Sequence, residues 1–355
     1  MQKNTKLILV ALLPIQILVL QLLKNIPEFI ESVYSTGIFP VISKISRYIF
    51  GWIPFSIGDL FYFFLILLLI RWIYKNIKRI KADTKNFILD VFSTLSIVYL
   101  LFNLLWGLNY YRVPLHQTLS LDTEYNTEEL IATTKRLIKK SNEMHHQLGF
   151  HDTIKIESPY DHKQIFKKTL NGYQNLAIKH PNLNYDPLSL KKSTWSLGLT
   201  YMGYSGYYNP FTGEAQVNSL IKLHKFPVVS CHEQAHQLGY AAENEANFIA
   251  ALATINNEDE FIQYTGYIFA LRYCVNEIAR RDLDTYRELL TTINPGILKS
   301  YKEMRDFWKS YENPFEVVSK LFWDQFLKAN NQSNGIKSYS YMVALIINYY
   351  EDQPF

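Results

Sequence analysis

Cysteine is nearly missing from this chain: Cys231 and Cys274 are the only two among 355 residues. A pair so distant in sequence excludes a disulfide framework and leaves either one bridge, in an oxidising compartment, or two buried thiols. A strong excess of one charge is missing as well. Lys and Arg number 36 against 32 for Asp and Glu, and much of the surplus lies beside apolar runs. That excludes nucleic acid as a partner and ties the basic residues to membrane topology. Internal repeats and low-complexity segments are also absent.

Apolar and aromatic residues are abundant, 48% and 15% of the chain, and they concentrate before residue 110. Three runs, 7–23, 57–74 and 87–108, have the length and composition of transmembrane helices. The first has no small-residue cleavage pattern after it and reads as an uncleaved anchor. Between the first two lies a connector, 25–57, whose alternation of Ile, Phe and Tyr with Lys44 and Arg47 fits a short amphipathic helix at the membrane surface. Lys3 and Lys6 precede the first run, and Arg71, Lys75, Lys78, Arg79, Lys81 and Lys85 fall between the cores of the second and third. Such clusters stay in the cytoplasm. The expected partner of residues 1–109 is therefore a lipid bilayer, the cytoplasmic (inner) membrane crossed three times, with residues 110–355 on its outer, periplasmic side.

Residues 110–355 have the pattern of one mainly helical domain. Asn126 with Glu129 three residues on marks a helix start, and its apolar face is Leu130, Ile131, Leu137 and Ile138. His145 and His146 near that helix's end are expected on the surface, complementing its dipole. A second amphipathic helix is expected over 161–177. Residues 198–208 read as a strand, 214–218 as its partner and 209–213 as the turn between them. Pro227 suits the start of a further helix, and helical pieces continue through 247–255 and 261–281 to about 350, punctuated by Pro295 and Pro314. The expected fold class is mainly α with a small β-hairpin or sheet.

The chemistry concentrates between Cys231 and Asn247. On a helix, His232 and His236 lie four residues apart on one face, where two imidazoles can meet one metal ion, with Glu233 beside them as the base for a water. Cys231 points about 100° away from His232 and is no donor. A catalytic zinc takes three protein ligands. Glu243 is the preferred third, because Gly239 lets the helix stop and the chain turn back; Glu245 is the alternative. Asn247, one turn after Glu243, is placed to bond a liganding histidine. Tyr204, Tyr207, His224 and Arg272 are candidate donors to an oxyanion or contacts to substrate.

His232 to His236 together with Glu243 to Asn247 resembles the sites of gluzincin-type membrane metallopeptidases, in which a Glu followed by Ala-Asp supplies the third ligand. Here Asn247 stands where those have Asp, and the gap between the two motifs is shorter. Along nearly its full length the chain is similar to the bacterial membrane proteins grouped as domain of unknown function 3810. The similarity is carried by Ile38 to Pro40, Pro54 to Ser56, Ser205 to Glu214 and His232 to Gly239. The first resemblance implies a zincin-like α+β domain behind three membrane helices and a Zn2+-dependent peptidase acting on a peptide or protein substrate. A non-catalytic envelope protein, with zinc in a structural or partner-binding role, is the alternative.

Overall fold

The computed structural model describes residues 2–149, 151–332, 339–351, 353 and 355. Three long apolar helices begin it: α1 (Lys3–Leu23), α3 (Ile57–Ala82) and α4 (Thr84–Leu105), with α2 (Phe39–Phe50) in the connector after a π-helical segment, Ile30–Ile38. Each of the three is long and apolar enough to cross a membrane, and their side chains are largely exposed. The basic residues from Arg71 to Lys81 continue α3 for its last turns rather than forming a loop, and only Asp83 separates it from α4. Unbranched Lys and Arg are good helix formers, so the helix has no reason to stop where hydropathy does.

Helices α1 and α4 run parallel: Lys6 pairs with Asp90 near their N-termini, and Gln16 Nε2 donates to Ser96 Oγ at 3.0 Å further along. Arg79, near the end of α3, reaches the same Asp90 at 2.8 Å. The start of α3, the end of α4 and the end of α1 therefore lie together at the opposite end, where the rest of the chain is attached.

That attachment is polar and specific. The Glu214 carboxylate accepts the backbone N–H groups of Ile57 and Gly58 at the N-terminus of α3, where negative charge is favourable. Asp59 accepts from Thr194 N at 2.6 Å, Thr194 Oγ1 at 2.9 Å and Tyr207 Oη at 2.5 Å. Arg112 pairs with Glu31 at 2.6 Å and donates to the Gly239 carbonyl. A cluster around Tyr34, Phe39, Trp106, Ala241 and Leu327 fills the junction.

The remaining elements are α5 (Thr127–Leu148), α6 (His162–Lys179), β1 (Leu190–Lys192), α7 (Ser196–Met202), β2 (Gly206–Asn209), β3 (Glu214–Val217), α8 (Phe226–Gln237), α9 (Glu243–Ile255), α10 (Glu260–Arg281), α11 (Leu283–Thr291), α12 (Pro295–Lys309), α13 (Pro314–Ala329) and α14 (Tyr339–Tyr349). Both α5 and α6 open on capping boxes, Asn126 with Glu129 and Asp161 with Gln164. The expected helical run toward 350 is observed except over 333–338, which lies outside the described residues. The core centres on α9, whose residues from Ala246 to Ala253 are all buried, an all-round burial that only a central helix has. Helices α6, α8, α10 and α14 surround it.

The sheet has the order β1-β3-β2, with β1 parallel and β2 antiparallel to β3. Of the expected strand 198–208 only the last three residues, 206–208, are β. Residues 196–202 form α7 instead, held by Ser196 Oγ to the Ser193 carbonyl and Thr200 Oγ1 to the Ser196 carbonyl, local bonds that compete with a ladder. His145 is a second correction: it is fully buried, with Nε2 at 2.9 Å from the Ile154 carbonyl, whereas His146 is exposed as expected. Both cysteines are free and buried.

Candidate metal centre

Helix α8 starts with Pro227 in its first turn and ends at Gln237, two residues before Gly239. Gly239 takes a left-handed φ of 86°, and a Cβ there would also sit 2.9 Å from the Phe39 ring. Both demands exclude other residues at low cost. The turn lets Tyr240 N donate back to the Ala235 carbonyl and sends the chain into α9, whose first residue is Glu243.

This geometry brings three donors to one point. His236 Nε2 and His232 Nε2 are 3.1 Å apart, His232 Nε2 lies 3.3 Å from Glu243 Oε2, and His236 Nε2 lies 3.7 Å from Glu243 Oε1. Ligands about 2.0–2.1 Å from a tetrahedral metal ion are roughly 3.3–3.4 Å from one another, so the spacing suits a divalent cation. Among the described residues, these three form the group of His, Cys and acidic side chains able to hold a metal.

The electrostatics agree. The bond and charge of Glu243 outweigh burial and raise His232, while burial and the charge of His232 push His236 down to about 4. Burial would raise Glu243, but its bond to His232 and the charges of both histidines hold it below the usual carboxylate range. The orientation of His236 is fixed by its other nitrogen, Nδ1, 2.8 Å from the Tyr240 carbonyl. His232 Nδ1 and Glu233 Oε2 are buried with no hydrogen-bond partner. Buried polar atoms left bare are costly, and a water held at the three donors would give Glu233 Oε2 a partner, whereas His232 Nδ1 lies on the ring edge away from them.

Glu233 follows His232 and faces β2. A Cβ on Gly206 would lie 2.5 Å from Glu233 Oε1, so only glycine allows the edge strand this close. Burial, reinforced by Glu243, pushes the Glu233 carboxyl up to about 8.

The other expected residues divide. Tyr204 is near: the charge of Glu243 adds to the burial that raises its phenol, which bonds Ser319 of α13. Tyr207 is not, because strand residues alternate faces; with Gly206 toward Glu233, Tyr207 turns away to Asp59. Glu245 stands apart from the three donors, its Oε1 accepting the Leu115 N–H at 2.6 Å. Asn247 is buried on α9 but bonds neither histidine: Nδ1 of His236 is taken by the Tyr240 carbonyl, and Nδ1 of His232 has no partner. His224 and Arg272 are corrected as well. They line a separate cavity of about 310 Å³ at the N-terminal end of α8, with Lys225, Phe269, Tyr301 and Trp308.

Two residues of the site escaped sequence reading. Trp106, just past α4, donates its indole N–H to the His236 carbonyl at 3.2 Å. Tyr110, packed edge-on against Trp106, is fully buried, and the charge of Glu243 adds to the desolvation that raises its phenol. The only signal for either was its position as an interface aromatic at the end of an apolar run.

The fold and site thus define a mainly helical protein with three apolar helices, a small three-stranded sheet and a His-His-Glu cluster at their junction. Residues 34–347 match the family described as "Protein of unknown function (DUF3810)", and the chain belongs to it. Comparison with curated proteins and with solved structures returns no match.

Proposed function

We propose that the protein is a membrane-anchored, zinc-dependent metallopeptidase with a zincin-like domain, its site at the outer face of the cytoplasmic membrane. The observation that carries this reading is the convergence of His232, His236 and Glu243 with a buried carboxylate, Glu233, directly under an edge strand. A structural site needs no such base and closes its fourth position with another His or Cys. Two nitrogens and one carboxylate oxygen suit zinc, which when bound supplies a Lewis acid that acidifies a water and polarises a carbonyl.

The chain's own groups supply the rest. Glu233, a buried carboxylate beside the three donors, takes a proton from the attacking water on Oε2 and returns it to the leaving amine. Among the described residues strand β2 pairs with β3 alone, which leaves its other edge to bond an extended peptide and hold the scissile bond near Glu233. Tyr110, a neutral phenol near Glu243, is the available donor to a developing oxyanion, whereas Tyr204 already donates its hydroxyl to the Ser319 carbonyl at 3.1 Å.

The membrane side follows from charge. Lys3, Lys6 and the basic turns of α3 lie at one end of the apolar helices and the metal centre at the other, which by the positive-inside rule gives three crossings and an extracytoplasmic domain over 110–355. The reading is tested with a quenched-fluorescence peptide library in detergent. Wild type is expected to cleave and Glu233→Gln not to; a metal-loaded wild type that cleaves nothing would favour the structural or partner-binding role.

A further inference from the structure

Helix α13 carries a second apolar stripe, turned outward, besides the apolar face that it packs inward. At 100° per residue, positions 314, 315, 318, 321, 322 and 325 fall within an arc of roughly 120°, and all are exposed. Of these only Gln325 is polar. Phe315 is 58% exposed, Val318 and Leu321 61% each and Phe322 74%. The acidic groups are turned the other way: Glu316 and Asp324 are mostly covered, folded into ion pairs with Lys320 and Lys328. No described residue covers the outward face.

The inward face shows what lies beside it. Phe326 packs edge-on against Phe102 of α4 at 6.0 Å and against Tyr110 at 6.2 Å. Leu327 is buried in the same cluster as Leu20 of α1 and Trp106. The exposed stripe of α13 is therefore continuous with the apolar ends of α1 and α4. Helix α2 repeats the pattern, with Val41, Ile45, Tyr48 and Ile49 outward and Ser43 and Arg47 buried.

We propose that α13 lies in the head-group layer of the membrane crossed by α1, α3 and α4, with Phe315, Val318, Leu321 and Phe322 in the lipid. Sixteen residues give a helix of about 24 Å, too short to cross a hydrocarbon core of about 30 Å but well suited to lie in its plane. Ser319 of α13 donates to the Tyr204 hydroxyl at 2.9 Å, so one wall of the metal centre is fixed relative to the lipid surface. The inference rests on reading the three apolar helices as membrane spans and is independent of peptidase activity.

The test uses the full chain in phosphatidylcholine nanodiscs. A fluorophore is placed at Phe322→Cys, at Leu68→Cys on α3 and at Arg287→Cys on α11, which packs against α10; Cys231 and Cys274 are buried and stay unlabelled. Quenching by spin-labelled lipid is then measured. The Phe322 label is expected to be quenched to within twofold of the Leu68 label, with the Arg287 label unaffected. A quenched Leu68 label beside a Phe322 label that behaves like Arg287 would overturn the proposal and leave the membrane reading intact. An unquenched Leu68 label would overturn both.

Discussion

The two ends of α8 bear titratable side chains of similar kinds, yet only one end gathers them. At the C-terminal end His232 and His236 share a face, Gly239 reverses the chain, and Glu243 arrives with opposite charge within 3.3 Å. At the N-terminal end His224 and Lys225 precede the helix, and Arg272 approaches from α10 around an open cavity with no shared contact point. Glu303, 3.7 Å from His224, is already paired with Lys155 at 2.7 Å. Convergence, not the presence of histidines and charges, separates a candidate metal centre from a polar cavity.

Four outcomes break or sharpen that contrast, the largest first. Glu233→Gln is expected to lower peptide hydrolysis by about 10²–10⁴-fold, the range for loss of a general base, while bound metal, read by mass spectrometry, stays unchanged. The second outcome concerns pH. Burial, helped by Lys155 and Lys225, pushes the His224 imidazole down to about 4 against the opposing pull of Glu303 and Glu157. The unfolded chain then binds more protons than the folded one between about 6.5 and that value, so stability is complete above this window and falls as pH drops through it. The loss is up to about 3 kcal/mol, and denaturant titrations of His224→Phe should show a flatter slope over the same range.

Gly239→Ala comes third. It forces a left-handed residue costing roughly 1–2 kcal/mol and crowds Phe39, so a lowered Tm is expected together with weaker metal retention because Glu243 is displaced. A variant as stable as wild type would refute this account of the turn. Smallest is Arg272→Ala, which should leave hydrolysis within twofold of wild type in initial-rate assays, since its side chain faces the other cavity.

The convergence of His232, His236 and Glu243 was legible because its geometry is local. Four residues on a helix fix His232 against His236, and a glycine followed by a short link makes Glu243 the residue that returns. The choice over Glu245 was readable for the same reason, as residues two apart on a helix face different ways. What failed was long-range. Tyr207 was exchanged for its neighbour's face, because strand register depends on a partner that sequence does not supply. Residues 196–202 carry aromatics and glycine in a strand-like order, but serine and threonine bonds to nearby carbonyls made a helix. Trp106 and Tyr110 reach the site across about 130 residues, which no spacing rule spans. The stripe of α13 was visible only as a helical piece after Pro314; that it faces outward follows from what packs behind it.

The most direct test of the metal centre is zinc content per chain for purified wild type beside Glu243→Ala and Glu245→Ala. One zinc in wild type and in Glu245→Ala, lost in Glu243→Ala, is the predicted result. A wild type without metal, or a Glu243→Ala variant that keeps it, would contradict the site built from His232, His236 and Glu243.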